Sequence, residues 1–154
     1  MKQGKNINEQ TYQHICEVRT ILDRVIDVLG ERHSQHDLTK MMSPEKEIFE
    51  IYTPKLKETT YGSDEYKQYL KEMQIALDHH YKQYRHHPEH FEHGINDMTL
   101  IDLIEMVCDW MAATKRHADG DIMKSIEINK GRFGYSDQLA TIFVNTVKEL
   151  EVMP

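Results

Sequence analysis

The sequence predicts an all-α protein, a single-domain helical bundle over residues 1–154. Three observations predict it. Glycine and proline are sparse, 7 and 4 in the whole chain, so few positions force a turn. No alternating apolar and polar run of strand length persists. Apolar residues recur instead at spacings of three and four, the period of one helical face.

The elements follow in order. A first helix is predicted over residues 8–29, stopped by Gly30, with an apolar stripe of Val18, Ile21, Val25 and Val28 or Leu29. His14 lies four residues before Val18 on that stripe, which predicts an inward side chain. "SPEKEIFEIYTPKLKE" starts the second helix, with Ser43 as N-cap and Pro44 at the first helical position. Another begins after Gly62 with Ser63 as cap, and aligns Tyr66, Leu70, Met73, Leu77, His80 and Tyr84 on one face. Pro88 and Gly94 punctuate the segment beyond it. "TLIDLIEMVCDWMAATKRH" opens on a capping box, Thr99 to Asp102, and is expected to run to about His117. Two shorter helices, residues 122–130 and 137–150, flank the turn "GRFG".

Composition narrows the function classes. With 39% hydrophobic and 29% charged residues the chain is ordinary globular protein, long enough for a core of its own. The net charge of −7 disfavours a polyanionic nucleic-acid partner. No apolar run has the length of a membrane span, and "MKQGKNINEQ" lacks the apolar segment of a signal peptide. Cys16 and Cys108 form no CxxC pair and read as reduced core thiols, which predicts a cytoplasmic protein. Homo-oligomerisation is left open.

One compositional feature asks for chemistry. There are ten histidines, six of them between His79 and His93. "HSQHDLTK", residues 33–40, adds a His-Asp dipeptide with a lysine three residues on, and "EMVCDWM" sets Asp109 among apolar neighbours. Asp102, Glu105 and Asp109 form a carboxylate stripe on one helix, a pattern that ordinarily faces water. A buried carboxylate needs a partner, and a metal ion is one that suits it. Lone inward histidines are more often satisfied core residues, and clustered imidazoles bind transition metals weakly whether or not function uses them.

In chain order, His14, then His36-Asp37, then Asp109 resembles the H…HD…D series of the HD-domain metal-dependent phosphohydrolases. "HDLTK" is similar to the HDxxK variant of that superfamily. More narrowly, "HDLTKMMSPEKEIFE", "HHYKQYRHHPEH" and "IEMVCDWMAATK" resemble a small uncharacterised bacterial and phage family with HD-S/T-K, paired histidines near a proline, and EM-x-x-DW. That likeness covers roughly residues 12–117. It departs at Tyr84-Arg85, where the family carries Asn-Pro, and no GYP motif of the binuclear HD enzymes follows.

The resemblance implies an HD-type bundle and hydrolysis of a nucleotide or related phosphate ester through a metal-activated water. It implies a metal held by His14, His36, Asp37 and Asp109. Manganese, iron, cobalt or zinc suits such ligands, as one or two ions. Lys40 and His80 are the expected catalytic residues. His79, His80, His86 and His87 are candidates for a second metal or for phosphate. Arg85, Lys115, Arg116 and Arg132 are weaker candidates for substrate phosphate. The substrate class is a mononucleotide, a deoxynucleoside triphosphate or a cyclic dinucleotide. Two other readings stay open: a catalytically idle HD-fold module that binds a nucleotide or a protein around a structural metal, and a bundle without metal.

Overall fold

A computed structural model describes residues 7–60, 62–116 and 120–152. Among them are seven α-helices, three short 3-10 turns and no strand, so the chain is all-α. No helix among the described residues is long and apolar enough to cross a membrane. The chain divides into two compact units, residues 1–36 and 37–154, and the division falls inside the His36-Asp37 dipeptide.

The described part of the first unit is formed by one helix, α1 (Ile7–Gln35). It runs through Gly30 instead of stopping there. Glycine inside a helix costs only about 1 kcal/mol relative to alanine, which 29 residues of helix can carry. The backbone turns left-handed later, at Asp37, with φ 57° and ψ 16°. Aspartate tolerates that region better than most residues, and it is the only non-glycine residue with positive φ among those described. His14 is exposed on α1, as are Ile21, Leu22 and Ile26, so its side chain is not inward as its place on the stripe predicts.

The second unit begins with a 3-10 turn, Leu38–Met41, then α2 (Glu45–Glu58), α3 (Asp64–Glu72) and α4 (Gln74–Gln83). Ser43 does not cap α2; Pro44 holds that position, and Glu45 begins the helix. Ser63 does cap α3, its hydroxyl accepting from Tyr66 N–H. The single helix expected after Gly62 breaks at Met73, which caps the C-terminus of α3 and the N-terminus of α4. Met73, Ala76 and His80 are nonetheless buried, so the predicted face points inward across the break.

Two short 3-10 turns, Pro88–His90 and Gly94–Asp97, lead to α5 (Leu100–Thr114), α6 (Ile122–Phe133) and α7 (Asp137–Val152). The capping box at Thr99 and Asp102 is present. The expected end of α5 near His117 lies outside the described residues. Asp121 caps α6, accepting from the N–H groups of Met123 and Lys124, and Gly134 closes it at φ 69°, where a side chain would be strained. Helices α5, α6 and α7 enclose the main core: Met106, Val107, Ile122, Ile126, Tyr135, Ala140, Phe143 and Val147. Trp110 packs beside it, stacked on Phe133 and edge-on to Phe143. Cys108 is exposed and Cys16 half-buried; neither is a core thiol, because both fall off the faces their helices bury.

Ile126 is fully buried at the centre of this cluster. Ile126→Ala is expected to lower the unfolding free energy by roughly 2–5 kcal/mol, the range for truncating a buried aliphatic side chain. Urea denaturation of the variant against wild type measures it.

Candidate metal centre

Sequence and topology bring four side chains of the second unit together. Asp37 enters from the left-handed turn before Leu38–Met41, His80 from the inner face of α4, and His86 and His87 from the segment after α4. One ligating atom from each lies within 4.8 Å of all the others. His80 Nε2 stands 3.0 Å from His87 Nε2 and 3.2 Å from Asp37 Oδ1. His86 Nε2 is 3.4 Å from the same oxygen.

The outer nitrogens of two of these imidazoles, His80 and His86, face carboxylates. His80 Nδ1 is 2.9 Å from Glu45 Oε2, and His79 Nδ1 is 2.7 Å from Glu45 Oε1. His86 Nδ1 is 3.0 Å from Glu105 Oε1. A carboxylate only accepts, so Nδ1 carries a hydrogen, and Nε2 either donates its own proton to Asp37 or, once a metal ion replaces that proton, offers its lone pair to the cluster. This is the arrangement by which proteins orient histidine ligands toward a metal. A lone pair facing Asp37 Oδ1 at 3.2 Å needs a cation between them, either a proton or a metal ion.

Charge follows the same geometry. Burial opposes ionisation of Asp37, but hydrogen bonds from His80, His86 and Lys40 outweigh it and hold the carboxyl well below the usual range. Burial pushes His87 down to about 2, helped by the neighbouring His86 and His80 and opposed by Asp109. His87 is therefore a neutral imidazole, the form that ligates metal. Burial also lowers His86, but Asp37 and Glu105 outweigh it and raise its pKa.

The expected site residues divide accordingly. Asp37 and Asp109 are brought together: a carboxylate oxygen of one lies within 4.8 Å of one of the other. His36 adjoins Asp37 in the chain but belongs to the first unit. His14 also lies in that unit, and the four-residue cluster is built without it. His80, His86 and His87 join Asp37, whereas His79 turns to Glu45. Lys40 Nζ reaches Asp37 Oδ2 at 2.6 Å and lies 5.2 Å from the centre of the Phe49 ring. Lys115 and Arg116 are exposed at the end of α5, and Arg132 pairs with Glu89 at 2.5 Å.

Arg85 has a structural engagement. It donates through Nε and Nη2 to the two oxygens of Asp102, at 3.1 and 2.9 Å, and lies over the Phe91 ring. The carboxylate stripe of α5 is thus no water-facing edge. Asp102 holds Arg85, Glu105 holds His86, and the charge of Asp109 acts on His87, three acids on one helix face set against three consecutive residues. Only the folded loop at residues 84–87 makes that match visible. Glu45 was not expected at all, since an acid in a helix's first turn ordinarily serves the helix dipole. Tyr84 is a further member: its hydroxyl accepts from Thr39 N–H at 2.8 Å, and its ring lies 4.7 Å from that of His80.

Fold and site together define an all-α protein whose histidines and aspartates are grouped as a metal ion would require. The chain belongs to the Family of unknown function (DUF5662), whose model matches residues 3–151. No curated protein and no solved structure matches it. The family carries no activity with it, and the likeness to HD-domain enzymes stays with the residues quoted above.

Asp102 is fully buried and serves both the α5 cap and Arg85. Asp102→Ala is expected to cost roughly 2–4 kcal/mol, combining a lost cap with a lost ion-pair partner whose arginine stays partly solvated. Burial raises the Asp102 pKa, but Arg85 and Thr99 outweigh that and leave it lowered. Its contribution is therefore present above the ordinary carboxylate pKa and lost as pH falls through the folded value. Thermal melts should show the gap between variant and wild type narrowing below about pH 4.

Proposed function

We propose that this protein is a metal-dependent phosphohydrolase acting on a nucleotide or a related phosphate ester. The observation that carries the reading is the convergence of three imidazole nitrogens and the Asp37 oxygen, with Glu45 and Glu105 behind two of the imidazoles. Mixed nitrogen and oxygen donors suit manganese, iron, cobalt or zinc better than calcium. Bound there, such an ion lowers the pKa of a coordinated water and polarises a phosphoryl oxygen.

The chain's own groups supply the rest. His80 and His86 are about 1% exposed, while Asp37 and Lys40 retain 15% and 30%, so the cluster meets solvent on the Asp37–Lys40 side. A phosphate arriving there meets the Lys40 ammonium first. One of its three N–H groups serves Asp37, and the others are suited to phosphate oxygens. Lys40 thus neutralises developing charge beside the carboxylate that would ligate the metal. His80 has both nitrogens engaged, which makes it a ligand in this reading and not the proton donor. Asp109 adds negative charge beside Asp37, which favours a cation there.

A second reading is favoured by one observation. Asp37, His80, His86 and His87 number four, enough to saturate a tetrahedral structural metal. The protein would then be a binding module for a nucleotide or a protein, without turnover. Elemental analysis followed by phosphate release from a panel of mononucleotides, deoxynucleoside triphosphates and cyclic dinucleotides separates the two. Metal with release supports the enzyme, metal without release the module, and neither metal nor release removes both.

Two variants sharpen the test. His80→Asn is expected to weaken cobalt binding by at least about a hundredfold, beyond the usual cost of losing an outer partner. His93→Ala, whose imidazole pairs only with Asp97 among the described contacts, is expected to bind as wild type does. Equal behaviour of the two would mean an adventitious histidine cluster. Lys40→Ala is expected to keep the metal and lose roughly a hundredfold in turnover, the scale of one electrostatic stabiliser. Steady-state phosphate release at matched metal content measures it, and unchanged turnover returns Lys40 to a surface charge.

A further inference from the structure

We infer that Glu45 is the positioning residue of the metal centre, fixing His80 in the tautomer that presents Nε2 to Asp37 and His87. The inference rests on the metal-centre reading above. Glu45 is fully buried, and both of its oxygens are spent on imidazole Nδ1 atoms, at 2.7 Å from His79 and 2.9 Å from His80. The grip of His79 matters because it occupies Oε1 and leaves Oε2 to a single task. The carboxylate cannot rotate off His80 without breaking the other bond.

Its backbone is equally constrained. Glu45 is the first residue of α2, where the helix N-terminus favours negative charge, and α2 packs on both the Leu38–Met41 turn and α4. The residue therefore stands between the element that follows Asp37 and the helix that carries His80. A carboxylate behind the imidazole also makes Nε2 a stronger donor to a cation. A purely structural Glu45 would tie α2 to α4 and have no influence on what Nε2 binds.

Cobalt(II) titrated into the full chain, followed by its visible absorption, tests this. Glu45→Gln is expected to raise the cobalt Kd by roughly 10–100-fold and to shift the absorption band. An amide oxygen accepts one Nδ1–H, but its NH2 group opposes the second, and without the negative charge the grip on His80 and the donor strength of its Nε2 both fall. Far-UV circular dichroism should show unchanged helix content. Glu45→Asp, which keeps the charge but withdraws it by one methylene, should bind more weakly than wild type and more tightly than Glu45→Gln. An unchanged Kd and spectrum in folded Glu45→Gln overturns the role of Glu45 and leaves the centre standing. A wild type that binds no cobalt overturns the centre, and Glu45 with it. Should Glu45→Gln fail to fold, Glu45→Asp decides: a Kd and spectrum equal to wild type overturn the inference.

Discussion

A buried imidazole has two nitrogens, and a carboxylate on one of them decides what the other can do. Glu45 behind His80 and Glu105 behind His86 impose that condition at the centre of the second unit. The rest of the arrangement depends on it. With Nδ1 committed, the Nε2 atoms of His80 and His86 are turned to Asp37, and only a cation resolves the meeting of lone pairs and carboxylate oxygen.

The helices are placed to serve this geometry. The inner face of α4 delivers His80, and the segment after it folds back so that His86 and His87 return to the same point. That segment is a turn and bend and not a helix at residues 85–87, and contacts from other elements hold it. Arg85 is clamped by Asp102, His90 Nδ1 lies 2.8 Å from the Tyr81 carbonyl, and Tyr84 is anchored on Thr39. The α5 core beneath Met106, Val107 and Trp110 gives the carboxylate stripe a rigid base. Rigidity of this kind is what a preorganised site requires.

The strained element sits in the histidine and aspartate cluster itself. Asp37 adopts a left-handed conformation that costs energy for a residue with a side chain, and it directs its two oxygens differently. Oδ1 faces His80 and His86, while Oδ2 takes the Lys40 ammonium. The HDxxK spacing acquires a physical meaning here: one 3-10 turn returns the lysine to the aspartate three residues before it.

The sequence by itself determined the helical class, the Ser63 and Thr99 caps, and the inward face carrying Met73 and His80, and it singled out Asp37, His80, His86 and His87, which the structure groups. These are local properties, set by periodicity, capping chemistry and spacing within a turn or two. It did not determine that α1 passes through Gly30, because one glycine is a small cost against the remaining helix. Nor did it assign roles to Glu45 and Glu105. An acid at a helix start and an acid in a polar stripe have ordinary local explanations, and nothing nearby in the chain marks them as partners of histidines 35 and 19 residues away. Only the tertiary structure decided that the α5 stripe faces residues 85–87. Which side of a helix meets water depends on what packs against it, and that is settled by distant segments.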